Sequence, residues 1–297
     1  MEELQYIVDL YGDPDPQVAA AVDRFFADNG PKAMSMLHAE YAAEVVPARR
    51  QLLGKMLAHY NKKMVISGLK DIARGSAQGV ECPLLEAGYL LCALTDATLS
   101  REEYLEAVLP VAMSVMEEVS DARTAMENVT LLNHVFYKRY GFSSTAPFDM
   151  TLDKSLLMNV ARGKQGSPFA LSLLYFIVAQ VAGLPVYPLC FTGGFVPVYV
   201  ESGKILFNIN VFHEGEIFIE NNISKMVQRQ AATMGVNVDI GEASVKRDHS
   251  ILVMYLEFLQ MLYSNAGDSV AQMDIDDAIE ALGGDRFLTI ESDEDQW

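Results

Sequence analysis

Between Pro168 and Ala182 runs an apolar stretch, PFALSLLYFIVAQVA, with a proline at its start and Gly183 directly after it. Proline costs nothing in a first helical turn, where the N–H groups have no partner in the helix, and glycine ends helices by adopting the left-handed conformation. The stretch therefore reads as one helix. It has no polar face, so it must be covered on most sides. It is also shorter than the roughly 20 residues of a membrane span. A chain of 297 residues, 51% of them hydrophobic, is long enough to supply the cover and to form two domains.

Beyond this helix the pattern changes to short runs rich in β-branched and aromatic residues. Val186–Thr192, Phe195–Val200 and Lys204–Ile209 are separated by Gly193-Gly194 and Glu201-Ser202-Gly203, which predicts consecutive antiparallel strands, with Ile217–Ile219 as a fourth. A helix packed on such a sheet is an α+β domain. Helix returns at Val245–Ser264 and, more briefly, at Ala271–Leu282.

The first 140 or so residues carry turn signals about every dozen positions and no strand pattern. Asp15 and Pro16 open one helix, which Asn29-Gly30-Pro31 ends, and Lys32–Glu44 follows. Arg49–Asn61, Ile66–Arg74, Leu84–Leu94, Arg101–Val119 and Ala122–Tyr140 continue the series, with Ser100 and Glu103 marking a helix start. Helix pairs of this size stack into short solenoids, so the half reads as HEAT-like or as a one-piece helical bundle. The resulting division is a helical domain over 1–125, a mixed domain over 126–265, and a short helix with an acidic, partly disordered tail over 266–297.

Net charge is −18, and the last thirty residues hold ten acids against Arg286 alone, so half of it lies there. With no basic stripe, a nucleic-acid backbone or an anionic membrane would be repelled. The terminal ESDEDQW reads as a solvated tail or as a strip that docks a basic protein. MEELQYIVDLYG has neither a positive segment nor an apolar run, so no export signal is expected and the location is cytoplasmic. Cys82, Cys92 and Cys190 are odd in number and lack Cys-x-x-Cys spacing, which argues against a disulfide framework or zinc knuckle. The histidines have no metal-ligand spacing and no glycine-rich phosphate loop is present, so neither metal nor cofactor is expected.

Several motifs in order resemble the SirB-type transglutaminase-like family, which has a bacterial branch. They are Leu85–Leu91 and Arg101–Ala112 in the helical half, then Leu132-Asn133-His134-Val135-Phe136-Tyr137, Tyr140-Gly141-Phe142, the lead from Asn159 to Gly166, Ser167–Tyr175, and Phe207–Gly215 after the strands. The resemblance implies an N-terminal helical domain joined to a transglutaminase-like (papain-like) core. In that core a nucleophile helix lies on a sheet, with a base and its orienting acid on adjacent strands.

The positions matched to that triad lack its chemistry. A thiolate mechanism needs a cysteine, a histidine within hydrogen-bond reach and a group that holds the imidazole. Here the helix-start position is Pro168, the histidine position is Gly194, and the acid position is Asn210, an amide with no histidine to orient. Two displaced constellations compete. Cys190 and His213 could converge with Asn210, against the simpler account of a buried thiol inside an apolar strand. Ser167 stands beside the vacant position, although serine before a helix-starting proline is more often a cap.

Two functions follow. The first is a noncatalytic pseudoenzyme: a scaffold that holds a protein or peptide, a basic one among the candidates, in the groove formed by Ser167, Pro168, Gly193, Gly194, Phe195, Asn210 and His213. Extended chains pair readily with strand edges. The alternative is a hydrolase or acyl transferase using Cys190, His213 and Asn210, or Ser167.

Overall fold

The computed structural model describes residues 2–145, 150–218 and 239–288. Its first five helices are α1 (Glu2–Leu10), α2 (Pro16–Ala43), α3 (Pro47–Ala77), α4 (Leu84–Thr95) and α5 (Arg101–Glu118). The break expected at Asn29-Gly30-Pro31 is a kink inside α2, where Gly30 takes φ 42° and ψ −121°. Pro31 has no N–H and disfavours helical geometry in the residue before it, and glycine accepts the positive φ that results. Arg49–Asn61 and Ile66–Arg74, expected as two helices, are instead one. Lys62-Lys63-Met64 are good helix formers with no breaker among them, and Val65 is fully buried, so helix continues through the gap.

α5 begins at the capping box of Ser100 and Glu103, as the residues predict. A second capping box, Thr124 with Glu127, starts α6 (Ala125–Asn133) three residues later than expected. The helix then widens into a π turn, His134–Arg139, which buries Val135, Phe136 and Tyr137. β1 (Ser143–Ser144) pairs in parallel with β2 (Gln165–Gly166), and the short helices α7 (Leu152–Ser155) and α8 (Leu157–Gly163) lie between them in sequence.

The apolar stretch forms α9 (Pro168–Val181), and nearly every residue of it is buried. α4, α5 and α8 pack on it, and so does α10 (Ser250–Ala266). The approach of α4 depends on Gly88: a Cβ there would lie 2.3 Å from the Tyr104 hydroxyl and 2.8 Å from an Ile177 methyl. Glycine inside a helix costs about 1 kcal/mol relative to alanine, and here it makes the three-helix contact sterically feasible.

The sheet contains β3 (Val186–Thr192), β4 (Gly194–Glu201), β5 (Lys204–Asn210), β6 (Glu216–Phe218) and β7 (Asp239–Val245), in the order β6-β5-β4-β3-β7 with antiparallel neighbours. β7 has no counterpart among the expected strands; its sequence, DIGEASV, has few β-branched residues and no apolar alternation, and pairing with β3 makes it a strand. It occupies Val245, so the helix expected from that residue starts at Ser250.

Val186, Tyr199, Phe207 and Ile209 join the large helical core, whereas Leu189, Val198 and Val200 cluster separately on the opposite face. The large core continues from Val65 to Leu282, and a second cluster spans Leu4 to Tyr60, with Met64 packed against both. α11 (Ser269–Ala281) is docked rather than a free extension. Lys62 reaches Asp274 at 2.6 Å and Asp277 at 2.8 Å, tying α11 to α3, while Asp276 pairs with Arg286. The terminal ESDEDQW of the expected acidic tail and Ile219 of the expected fourth strand lie outside the described residues. Among the described residues no helix is long and apolar enough to cross a membrane.

Candidate functional site

Pro168 occupies the first position of α9 and is buried. Ser167 precedes it at the capping position, yet its hydroxyl makes no cap bond. Ser167 Oγ is fully buried with no hydrogen-bond partner, while its backbone N–H donates to the Lys154 carbonyl at 2.6 Å. The capping role expected for this serine is therefore not realised: its buried hydroxyl accepts from no N–H of the first turn.

Aromatic rings pack beside the helix start. Phe169 stacks on Phe258 with centroids 5.1 Å apart and meets Phe195 edge-on at 4.8 Å, and Phe195 also lies 5.8 Å from Phe176. The segment after α11 passes over the same region. The Phe287 and Leu288 N–H groups donate to Glu257 Oε2 at 2.9 and 3.0 Å, and the Gly193 N–H donates to the Phe287 carbonyl at 3.3 Å. The chain's own C-terminal segment thus sits on the turn that was expected to line an open groove.

Strand alternation separates the expected groove residues. Phe195 points toward α9, so Gly194, one residue earlier, lies on the other side; a Cβ on it would meet the Phe191 ring at 3.2 Å. Asn210 has the same register as Asn208, which pairs with Val198 on that opposite face, whereas Ile209 belongs to the helix-facing core. Asn210 is buried, and its side-chain oxygen accepts from the Phe212 N–H at 3.1 Å, closing the local turn. His213 is exposed in the short 3-10 turn that follows.

The displaced Cys190, His213 and Asn210 are not brought together. Cys190 pairs with Phe195 on β4, and β4 stands between β3 and β5, which at about 4.8 Å per strand puts them roughly 10 Å apart. Cys190 is buried, and that burial pushes its thiol up to about 12. Burial pushes Cys82 up to about 12 as well, and it raises Cys92 further still. Thiols held so far above neutral pH carry almost no thiolate, the nucleophilic form. Among the described residues no group of three or more His, Cys, Asp or Glu could hold a metal ion.

A larger feature lies in the helical half. α2, α3, α4 and the start of α5 surround a cavity of about 1180 Å³. The Gly30-Pro31 kink lines it, so the bend in α2 forms part of the concavity. Its walls include Phe26, Met34, Tyr60, Met64, Ile72 and Leu90. His38 lines it too, almost fully buried, and neither ring nitrogen makes a hydrogen bond of good geometry. Burial lowers the His38 pKa, against the Thr98 backbone and the Glu102 carboxylate, which act to raise it. In the sequence His38 is a lone histidine on a helix; the one local signal that its surroundings are unusual is the Asn-Gly-Pro break about two turns upstream.

Comparison with known proteins follows the sheet-and-helix half of the molecule. Residues 102–249 match the family model of the transglutaminase-like superfamily. No curated protein matches the chain. A solved structure, "Crystal structure of menin reveals the binding site for Mixed Lineage Leukemia (MLL) protein", is similar at 15% identity with a TM-score of 0.38, over 74% of this chain and 55% of that one. The chain thus spans about half the length of that structure. With α9 on an antiparallel sheet at its centre, the region from residue 102 to 249 is a transglutaminase-like superfamily domain.

Proposed function

We propose that this protein is a noncatalytic transglutaminase-like module that binds a protein or peptide. The observation that carries this reading is the start of α9. The position that would hold a nucleophile is a buried proline, and Phe169, Phe195 and Phe258 pack beside it. Nucleophilic catalysis needs an activated nucleophile with its base in reach. Cys190 is buried two strands from the segment that leads to His213, and Ser167 Oγ makes no hydrogen bond to a base among the described residues.

In this reading the binding surface shifts from the groove expected at Gly193, Gly194 and Asn210 to the cavity between α2, α3 and α4. The helical half then acts as a HEAT-like scaffold that presents a concave face. A SirB-type subfamily, a bacterial source and a cytoplasmic location belong to the same reading.

The test is to incubate the full chain with activated amide, ester and thioester substrates. No turnover above that of Cys190→Ala is expected. Turnover that Cys190→Ala or Ser167→Ala abolishes would establish the hydrolase or acyl-transferase alternative instead.

A further inference from the structure

The cavity between α2, α3 and α4 has properties that define its ligand more closely, on the basis of the noncatalytic binding reading above. Its volume, about 1180 Å³, exceeds the roughly 300–1,000 Å³ of pockets that take small molecules. It therefore has room for a short stretch of polypeptide. The walls supply apolar and aromatic contact, and Gly68 keeps one wall close to the next: a Cβ on it would lie 2.8 Å from a Leu90 methyl. His38 and Ser76 line the cavity as well, but packing closes their side-chain polar atoms off from it. The cavity therefore presents mainly apolar surface to an occupant.

Charge selects among the occupants. Five acids line the cavity (Asp23, Asp71, Glu81, Glu86 and Glu102), against the bases Lys32, Lys63 and Arg101. Lys63 pairs with Asp23 at 3.1 Å, Arg101 with Glu86 at 2.9 Å and Asp71 with Arg74 at 2.7 Å, which leaves Glu81 and Glu102 against Lys32 as the lining charges without an ion-pair partner among the described residues. The whole chain carries −18, so a second copy, or the chain's own terminal ESDEDQW, would meet a field of its own sign.

We infer that this cavity is the docking site for a positively charged peptide segment of another protein, which inserts an apolar side chain between Phe26, Met64 and Leu90. Basic residues flanking the anchor face the Glu102 side of the rim. The apolar anchor supplies most of the affinity, and the charges supply association rate and orientation.

The test uses the full chain and phage-displayed random short peptides as the probe. Selection is expected to enrich sequences with Lys or Arg beside Phe, Leu or Met. Ser67→Trp, an exposed position on the α3 wall, should weaken the best selected peptide by roughly tenfold or more. Glu102→Lys should weaken it by a smaller factor and reduce its salt dependence. Thermal unfolding confirms that each variant folds. Should Ser67→Trp fail to fold, Ser35→Trp plugs the cavity from the α2 wall instead.

Failure to enrich any peptide, enrichment without basic bias, or equal binding to the plugged variant would overturn the inference. So would self-association that Ser67→Trp abolishes, which would identify a second copy as the occupant. None of these outcomes would restore catalysis, so the noncatalytic reading is tested separately by the turnover assay.

Discussion

Asn133 and Gly215 join the two halves of the transglutaminase-like region: the Asn133 side-chain amide donates to the Gly215 carbonyl at 2.7 Å, and its oxygen accepts from the Tyr175 hydroxyl at 2.7 Å. One asparagine thereby ties the end of α6 to α9 and to the turn after β5. Tyr175 is fully buried, so its hydroxyl depends on this acceptor. Asn133→Ala should cost about 1–3 kcal/mol, the penalty of an unsatisfied buried polar group, read as a lower denaturant midpoint with an unchanged slope. Gly215→Ala should be at least as harmful, since the new Cβ would fall 2.0 Å from Asn133 Oδ1 at a φ of +75°. Wild-type stability in either variant would show that the connection is incidental.

Thiol chemistry gives a second outcome. Burial holds Cys82 and Cys190 at about 12 and Cys92 higher, so all three should label slowly with a disulfide reagent in the native protein and rapidly after denaturation. Fast native labelling of Cys190 alone, located by mass spectrometry, would contradict the burial of β3.

His38 makes stability depend on pH. Burial lowers its folded pKa below the unfolded value of about 6.5, so its contribution is fully present above that pH and is lost as pH falls toward the folded pKa. The Thr98 backbone and the charges of Glu102, Glu103 and Asp96 act in the opposite direction, which limits the size of the effect. Thermal midpoints measured between about pH 7 and 5 should fall less steeply in His38→Gln than in the wild type. Parallel curves would mean that His38 stays accessible to protons in the folded state.

Triad residue types placed at the three expected positions should not create a working triad. Pro168→Cys, Gly194→His and Asn210→Asp combined would supply thiol, imidazole and carboxylate, but positions 194 and 210 lie on the sheet face opposite α9. No thiol-dependent hydrolysis is expected from the folded triple variant. Turnover that alkylation abolishes would show that the strands can present both positions to the helix.

The segment 285–288 depends on one buried carboxylate. Glu257 accepts from the Phe287 and Leu288 N–H groups. Glu257→Leu should increase hydrogen exchange at both amides and lower stability by about 1–3 kcal/mol. Unchanged exchange there would leave the Arg286–Asp276 pair and the Gly193–Phe287 bond to hold the segment.

Local features were legible where the signal lies within a few residues. The Ser100–Glu103 capping box, the Gly30-Pro31 break and the glycine turns after β3 and β4 each act through bonds or torsions of neighbouring residues. The continuous α3 was less legible, because the absence of a breaker at Lys62–Val65 is a weaker signal than the presence of one. β7 had no local signal and exists by pairing with β3.

What the sequence alone determined is the central apolar helix, the strands beside it and the absence of a nucleophile at Pro168, because these follow from periodicity, composition and the atoms a side chain possesses. Tertiary structure decided the rest. It placed Gly194 and Asn210 on the face away from α9, buried Cys190, laid Phe287 on the Gly193 turn and opened the cavity around His38. The physical reason is that strand facing, burial and cavity shape depend on which distant segments pack together, and pairing between segments is not written in the local pattern of either one.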